Sequence, residues 1–188
     1  IIVTNSFNDL LYIFINQSAG GTLTFSPTPV KLSIKIAAGD VLTTYEAEVQ
    51  DFNGDDLPDL IINQFQTSNL YLLRNQSAGN ISFAAPQRIS MAGGLNRLNS
   101  ADINNDGKLD LVITSTLNNQ LDVLLNQTAA EATSFTFAPP ISMITSTGPW
   151  GVDVGDVDGD GDPDITVANR NQNAINVFLH SGNFVTPT

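Results

Sequence analysis

Twelve of the nineteen acidic residues in this chain fall inside three nine-residue windows. The windows read DFNGDDLPD at 51–59, DINNDGKLD at 102–110 and DVDGDGDPD at 156–164. Each has an oxygen-bearing side chain at positions 1, 3, 5 and 9. These are Asp51, Asn53, Asp55 and Asp59; Asp102, Asn104, Asp106 and Asp110; and Asp156, Asp158, Asp160 and Asp164. Carboxylates packed this closely repel one another, and a hard cation that takes about six to eight oxygen ligands relieves the repulsion. The position-7 carbonyls, those of Leu57, Lys108 and Asp162, would complete most of a Ca²⁺ shell. Gly54, Gly107, Gly159 and Gly161 suit the tight turn that aims successive oxygens inward. The expectation is three Ca²⁺ sites, tightest at 156–164, where all four side-chain ligands are carboxylates. The competing expectation is three metal-free Asp/Asn/Gly turns. An EF-hand also opens D-x-D-x-D-G, but it needs an acid at position 12 and a following helix. Position 12 is Ile62, Ile113 and Val167, and β-rich runs follow, so that reading fails.

A ligand pattern that occurs three times requires a scaffold that repeats. The loops begin at 51, 102 and 156, and the segments behind them align without gaps. Leu60-Ile61-Ile62 matches Leu111-Val112-Ile113 and Ile165-Thr166-Val167. Leu70-Tyr71-Leu72-Leu73 matches Leu121-Asp122-Val123-Leu124 and Ile175-Asn176-Val177-Phe178. At an offset of 59 the N-terminal runs Ile1-Ile2-Val3 and Leu11-Tyr12-Ile13-Phe14 join them, and Asn-Gln recurs at 16–17, 75–76 and 126–127. Each copy reads as four short strands. Strand A leads into the acidic loop (45–50, 97–101, 151–155), and strand B leaves it. A polar hairpin such as 66–69 or 117–120 follows, then strand C, and strand D carries a Phe…Pro segment. Four antiparallel strands per unit of about 50 residues is the arithmetic of a β-propeller blade. The expected fold is all-β: a propeller or partial propeller of four-stranded blades in one repeat domain, 1–188. The boundaries are an incomplete first blade at 1–40 (strands B to D), then blades at 41–95, 96–147 and 148–188.

The pattern D-x-[DN]-x-D-G-x-x-D followed by a β-run resembles the calcium-binding repeat of FG-GAP/VCBS propeller proteins, the group that includes integrin α-subunit propellers. The family's Phe-Gly and Gly-Ala-Pro signatures are only approximated by FAAP and FAPP, and Asp56 stands where the other loops have Gly107 and Gly161. The resemblance implies an extracellular or cell-surface module for adhesion or assembly, without catalysis. A lectin with sites between blades is one alternative, and a propeller domain of a polysaccharide-degrading enzyme is the other. For a lectin, the residues six before each loop, Tyr45, Asn96 and Trp150, are the candidate sugar platform; packing between blades is their other reading.

The remaining composition narrows the partners. A formal charge of −12 repels phosphate backbones, so no nucleic-acid partner is expected. The longest clean apolar run, 10–15, is far short of the roughly 20 residues of a spanning helix, so no membrane insertion is expected. Absence of cysteine removes disulfides and thiolate sites. The lone His180 cannot complete a histidine-based site and reads as a surface residue at a strand end. Glu48, Asn99 and Asp153 all lie three residues before a loop, and repetition of this kind argues for structure over a catalytic pair. The sequons at Asn16, Asn75 and Asn126 are the recurring Asn-Gln-Ser/Thr turn, which the repeat explains without glycans; Asn80 is a fourth. A chain opening at Ile1 suggests a processed form or a portion of a longer protein. Short blades at both ends lead us to expect completion by self-association or by the rest of a longer chain.

Overall fold

The computed structural model describes residues 1–5, 10–34, 44–64 and 68–180, with 44 and 45 described by backbone alone. Within them every regular element is a β-strand, and the strands form four antiparallel sheets. The first sheet holds β1 (Ile2–Thr4), β2 (Leu10–Ile13) and β3 (Val30–Ser33). The second holds β4 (Thr44–Gln50), β5 (Asp59–Gln64), β6 (Asn69–Leu73) and β7 (Gln87–Ser90). The third holds β8 (Leu95–Ala101), β9 (Asp110–Ser115), β10 (Gln120–Leu124) and β11 (Ile141–Ile144). The fourth holds β12 (Pro149–Gly155), β13 (Asp164–Asn169) and β14 (Ala174–Phe178). Each strand pairs with its sequence neighbour, and successive sheets pack face to face in chain order. This is a partial propeller, open among the described residues. Residues 183–188, expected to form the last D strand, lie outside them.

Strand period explains why the repeat buries so well. Side chains alternate across a strand, so a strand covered on both faces must be apolar at every position. Leu60 and Ile62 face the first sheet in a core with Leu11, Ile34, Tyr71 and Leu73. Between them, Ile61 turns the other way and joins Leu70, Leu72, Leu111 and Ile113 between the second and third sheets. Val112 again reverses, meeting Leu121, Val123, Ile165 and Val167 between the third and fourth. Each fully buried Leu or Ile contributes about 1.5–3 kcal/mol of transfer free energy. The continuous runs at 60–62 and 111–113 are therefore shared between two cores. Pairings such as Leu60–Leu73, Ile61–Leu72 and Val112–Val123 keep the two sides in register.

The outermost strands begin later than the sequence suggested. Phe25, Phe83 and Phe137 make single bridges to Asn16, Asn75 and Asn126, and pairing resumes only at β3, β7 and β11. Pro27 and Pro29, Pro86, and Pro139 and Pro140 lie between. Lacking an N–H, proline cannot donate to a ladder, so the strand restarts beyond it.

Polar bonds between first strands join the second blade to the third and the third to the fourth. Arg97 Nη1 pairs with Glu46 Oε1 at 3.2 Å, and the Leu98 amide donates to Glu46 Oε2 at 2.8 Å. Ser100 Oγ donates to Glu48 Oε2, and Asn99 Nδ2 to Asp153 Oδ1 at 3.1 Å. The recurring position three residues before each loop thus links blades. Loss of water raises the Glu48 carboxyl above the usual range; the Ser100 bond opposes this, and the Glu46 charge adds to it. The folded state therefore holds this proton more tightly than the unfolded chain. Ionisation costs stability as pH rises from the ordinary value, near 4.3, through the raised one. Glu48→Gln is expected to melt higher than the parent at neutral pH and to lose that advantage below about pH 4. Thermal melts of both proteins across that range check the sign.

Candidate metal centre

All three acidic loops adopt one local structure, and the reason is visible in the residue types at positions 4 and 6. Positions 4 and 6 have left-handed backbone in every copy: Gly54 and Asp56, Asn105 and Gly107, Gly159 and Gly161. Gly adopts this region freely, and Asn and Asp are the side-chain-bearing residues that tolerate it best. Asp56, with φ of 64°, therefore keeps the turn despite departing from the glycine of the other loops. The turn directs backbone N–H groups at the first carboxylate. Asp51 accepts from Gly54 at 2.7 Å and Asp56 at 2.8 Å; Asp102 accepts from Asp106 at 3.0 Å and Gly107 at 2.8 Å. Asp156 accepts from Gly159 at 2.6 Å and Gly161 at 3.1 Å. At position 5, one oxygen of Asp55, Asp106 and Asp160 accepts the amide of position 7, that of Leu57, Lys108 and Asp162.

Position 9 does something further. Asp59, Asp110 and Asp164 start β5, β9 and β13 and are fully buried. One oxygen accepts the amide of position 2, from Phe52, Ile103 and Val157. The other accepts the amide just past the third strand of the blade, from Asn75 at 2.8 Å, Asn126 at 2.7 Å and His180 at 2.8 Å. The carboxylate therefore ties the loop to the end of a strand 16 residues later in each copy. Asn75 and Asn126 also donate their side-chain amides to the position-8 carbonyls of Pro58 and Leu109. Those nitrogens are the ones a glycan would need, and both residues are buried. His180 occupies the same place in the fourth copy. It is 4% exposed, so the expectation of a surface histidine is corrected: the strand end is roofed by the loop it holds.

Burial sets the proton affinities of these acids. Loss of water raises Asp59 and Asp110 above the ordinary range; the two amide bonds on each oppose this, and the neighbouring loop charges add to it. Asp164 is lowered, because the His180 and Val157 amides outweigh its loss of water. Asp158 is raised, by loss of water first and by the charges of Asp160, Asp164 and Asp156, its bond from the Asp160 amide opposing.

Only oxygen donors converge in these loops, which suits a hard cation. In the third loop Asp156, Asp158 and Asp164 bring carboxylate oxygens within 4.8 Å of one another, so this cluster could hold a metal ion. In the first loop the position-3 side chain is buried, and Asn53 Oδ1 has no hydrogen-bond partner. A buried oxygen without a donor is costly, and a cation is one way to satisfy it. Both observations fit Ca²⁺. The Asn53 amide also donates to the Ala132 carbonyl, and the Glu131 amide to the Asn53 carbonyl, so a hairpin of the third blade clasps this loop. Asn105 Nδ2 bonds Asp162 Oδ1 between the second and third loops.

The residues six before each loop sit at an irregularity where the first strand of each blade joins its neighbour. The register shifts there in all three copies, between Thr44 and Glu46, Leu95 and Leu98, and Pro149 and Gly151. The side chain of Tyr45 lies outside the described residues. Asn96 is fully buried and donates to the Pro149 carbonyl at 3.2 Å, so it is packing and is out of reach of a sugar. Trp150 is half-buried, with the Arg170 guanidinium 5.0 Å from its ring centre. It borders a groove of about 380 Å³ with Asn169, Asn173 and Ile175. Asn96 and Trp150, at equivalent backbone positions, thus stand in different surroundings, one buried and one beside the groove.

Successive sheets of three or four antiparallel strands, three of them with an acidic loop between the first and second strands, define a β-propeller-like repeat module. A model of the FG-GAP-like repeat matches residues 51–113 and 102–167, more than half of the chain, and the chain belongs to that family. A comparison with curated proteins found no match.

Proposed function

We propose that this chain is a calcium-binding propeller module that works outside the cytoplasm, as a non-enzymatic element of adhesion, matrix or surface assembly. The observation that carries the reading is the shared frame of the three loops, in which backbone amides fix the carboxylates before any ion arrives. Asp51, Asn53, Asp55 and Asp59 would hold one ion, and Asp102, Asn104, Asp106 and Asp110 a second. The third would sit with Asp156, Asp158, Asp160 and Asp164. The carbonyls of Leu57, Lys108 and Asp162 would add to these shells. Bound Ca²⁺ supplies positive charge that cancels the mutual repulsion of the loop carboxylates; three ions would halve the formal charge of −12. Affinities of about 10⁻⁴–10⁻³ M are expected, as for extracellular modules, where calcium is abundant enough to fill such sites. Engagement of Glu48, Asn99 and Asp153 in the blade junctions supports a structural role for the acids outside the loops.

Isothermal calorimetry is expected to give three Ca²⁺ per chain, with Asp158→Asn weakening the tightest to the level of the other two, which carry Asn53 and Asn104 at that position. No heat of binding, or tightest binding at 51–59, would refute the assignment. A second reading, glycan binding, rests on the Trp150 groove, where an aromatic face adjoins the amides of Asn169 and Asn173. It requires saturable quenching of Trp150 fluorescence by a sugar.

A further inference from the structure

Asn53 and Gly54 form the one Asn-Gly pair in the sequence, and they lie inside the first acidic loop. Such a pair can react with itself. The Gly54 amide nitrogen, with no side chain to hinder its approach, attacks the Asn53 side-chain carbon Cγ. The N–Cγ bond forms, the Cγ–Nδ2 bond breaks, and Nδ2 leaves as ammonia with the Gly54 amide proton. Water then opens the cyclic imide. Cleavage of the new N–Cγ bond leaves Asp at position 53, and cleavage at the main-chain carbonyl of Asn53 leaves isoaspartate. The folded loop opposes each part of this reaction. Asn53 is 3% exposed, and its Nδ2 donates to Asp55 Oδ2 at 3.1 Å and to the Ala132 carbonyl at 3.0 Å. The Gly54 N–H is turned onto Asp51 Oδ1 at 2.7 Å, and that negative charge disfavours loss of the amide proton. The Asn53 main-chain carbonyl is held by the Glu131 amide at 2.7 Å. Two of these bonds come from the third blade. Asn104, at the same position of the second loop, is exposed and precedes Asn105, so the combination belongs to the first loop alone.

From this arrangement we infer that Asn53 is a self-deamidation site, guarded by the hairpin of the third blade, and that its conversion releases that hairpin. An amide that donates to two acceptors becomes a carboxylate with no proton to give. It then faces Asp55 Oδ2 and the Ala132 carbonyl in a buried place, where unmatched acceptors are costly. Isoaspartate adds a carbon to the main chain as well, which moves Gly54 out of register with Asp51. The reaction needs the loop to open locally, so its rate follows the fraction of time the clasp is undone. The seam between the second and third blades thus carries a slow, one-way switch. Calcium adds a further guard only on the reading proposed above, in which it occupies the unpartnered Asn53 Oδ1 and favours the closed loop.

Peptide mass mapping after incubation in chelator at mildly alkaline pH provides the test. In guanidinium the unfolded chain is expected to convert Asn53 to Asp and isoaspartate, and the folded chain to do so about a hundredfold more slowly. Residues 129–134 can be replaced by the shorter turn 78–80 of the second blade, because both hairpins are closed by the same Asn–Phe bridge. This removes Glu131 and Ala132 and should speed conversion about tenfold over the folded parent. Circular dichroism checks that the swap folds; if it does not, Asp55→Ala, which removes the other acceptor of Nδ2, carries the same expectation. In Asn53→Asp, amide hydrogen exchange across 129–134 should quicken by about tenfold. Four results would each overturn the inference: no conversion in the unfolded chain, equal rates folded and unfolded, a swap no faster than the parent, or unchanged exchange in Asn53→Asp. A repeat in calcium separates the two readings. Equal rates in calcium and chelator, with the other results as expected, would support the guarded site and refute the calcium reading of this loop.

Discussion

Asp110→Ala is expected to lower the melting temperature by about 5–15 °C even in chelator, and by more in calcium, where a ligand is lost as well. Asp110 is fully buried, and its two oxygens are the acceptors for the Ile103 and Asn126 amides. Truncation leaves both donors without partners in a site that water does not reach, at about 1–3 kcal/mol each. Part of this is returned because a carboxylate held out of water, with its proton affinity raised, is itself unfavourable. The net loss is about 2–4 kcal/mol, and for a chain of this size each kcal/mol moves the midpoint by about 2–4 °C. Asp110→Asn keeps one acceptor oxygen and should fall between the two. Differential scanning calorimetry in both buffers checks this. A loss confined to the calcium buffer would mean that position 9 is a ligand alone and does not tie the loop to the strand end.

Chelation is the second large effect. Binding to the folded state alone adds RT ln(1 + [L]/Kd), about 2.7 kcal/mol for one site at a hundredfold excess over Kd. Excess chelator is therefore expected to lower the midpoint by about 5–10 °C for each site lost. Asp160→Ala should lose part of this stabilisation in calcium and nearly none in chelator, since its side chain is exposed and bonds one amide of its own loop. The two variants separate the roles within one motif: position 9 supports the fold with or without the ion, position 5 only with it. An unchanged melt in excess chelator would make the loops ordinary turns.

Most of the architecture was legible because the repeat writes the same physics several times. The runs Leu60-Ile61-Ile62 and Leu111-Val112-Ile113 had to be strands covered on both sides, and they are. The oxygens at positions 1, 3, 5 and 9 were legible as one pattern, but the different duty of position 9 was not. Its partners are backbone amides, which leave no mark in residue type. The constant spacing of 16 residues from Asp59, Asp110 and Asp164 to Asn75, Asn126 and His180 was the available signal. His180 was misplaced for the same reason, since its ring hid the fact that its amide is what the position needs. Tyr45, Asn96 and Trp150 share a backbone position, beside a register shift in the first strand of each blade. Asn96 is buried there and Trp150 half-buried, a difference that spacing alone does not reveal.

Anomalous diffraction from a crystal grown in calcium tests the central claim most directly. Three anomalous peaks are expected, one inside each of loops 51–59, 102–110 and 156–164, bounded by the side chains of positions 1, 3, 5 and 9 and the carbonyl of position 7. The strongest should lie among Asp156, Asp158, Asp160 and Asp164. Ordered loops with no anomalous density at saturating calcium would contradict it.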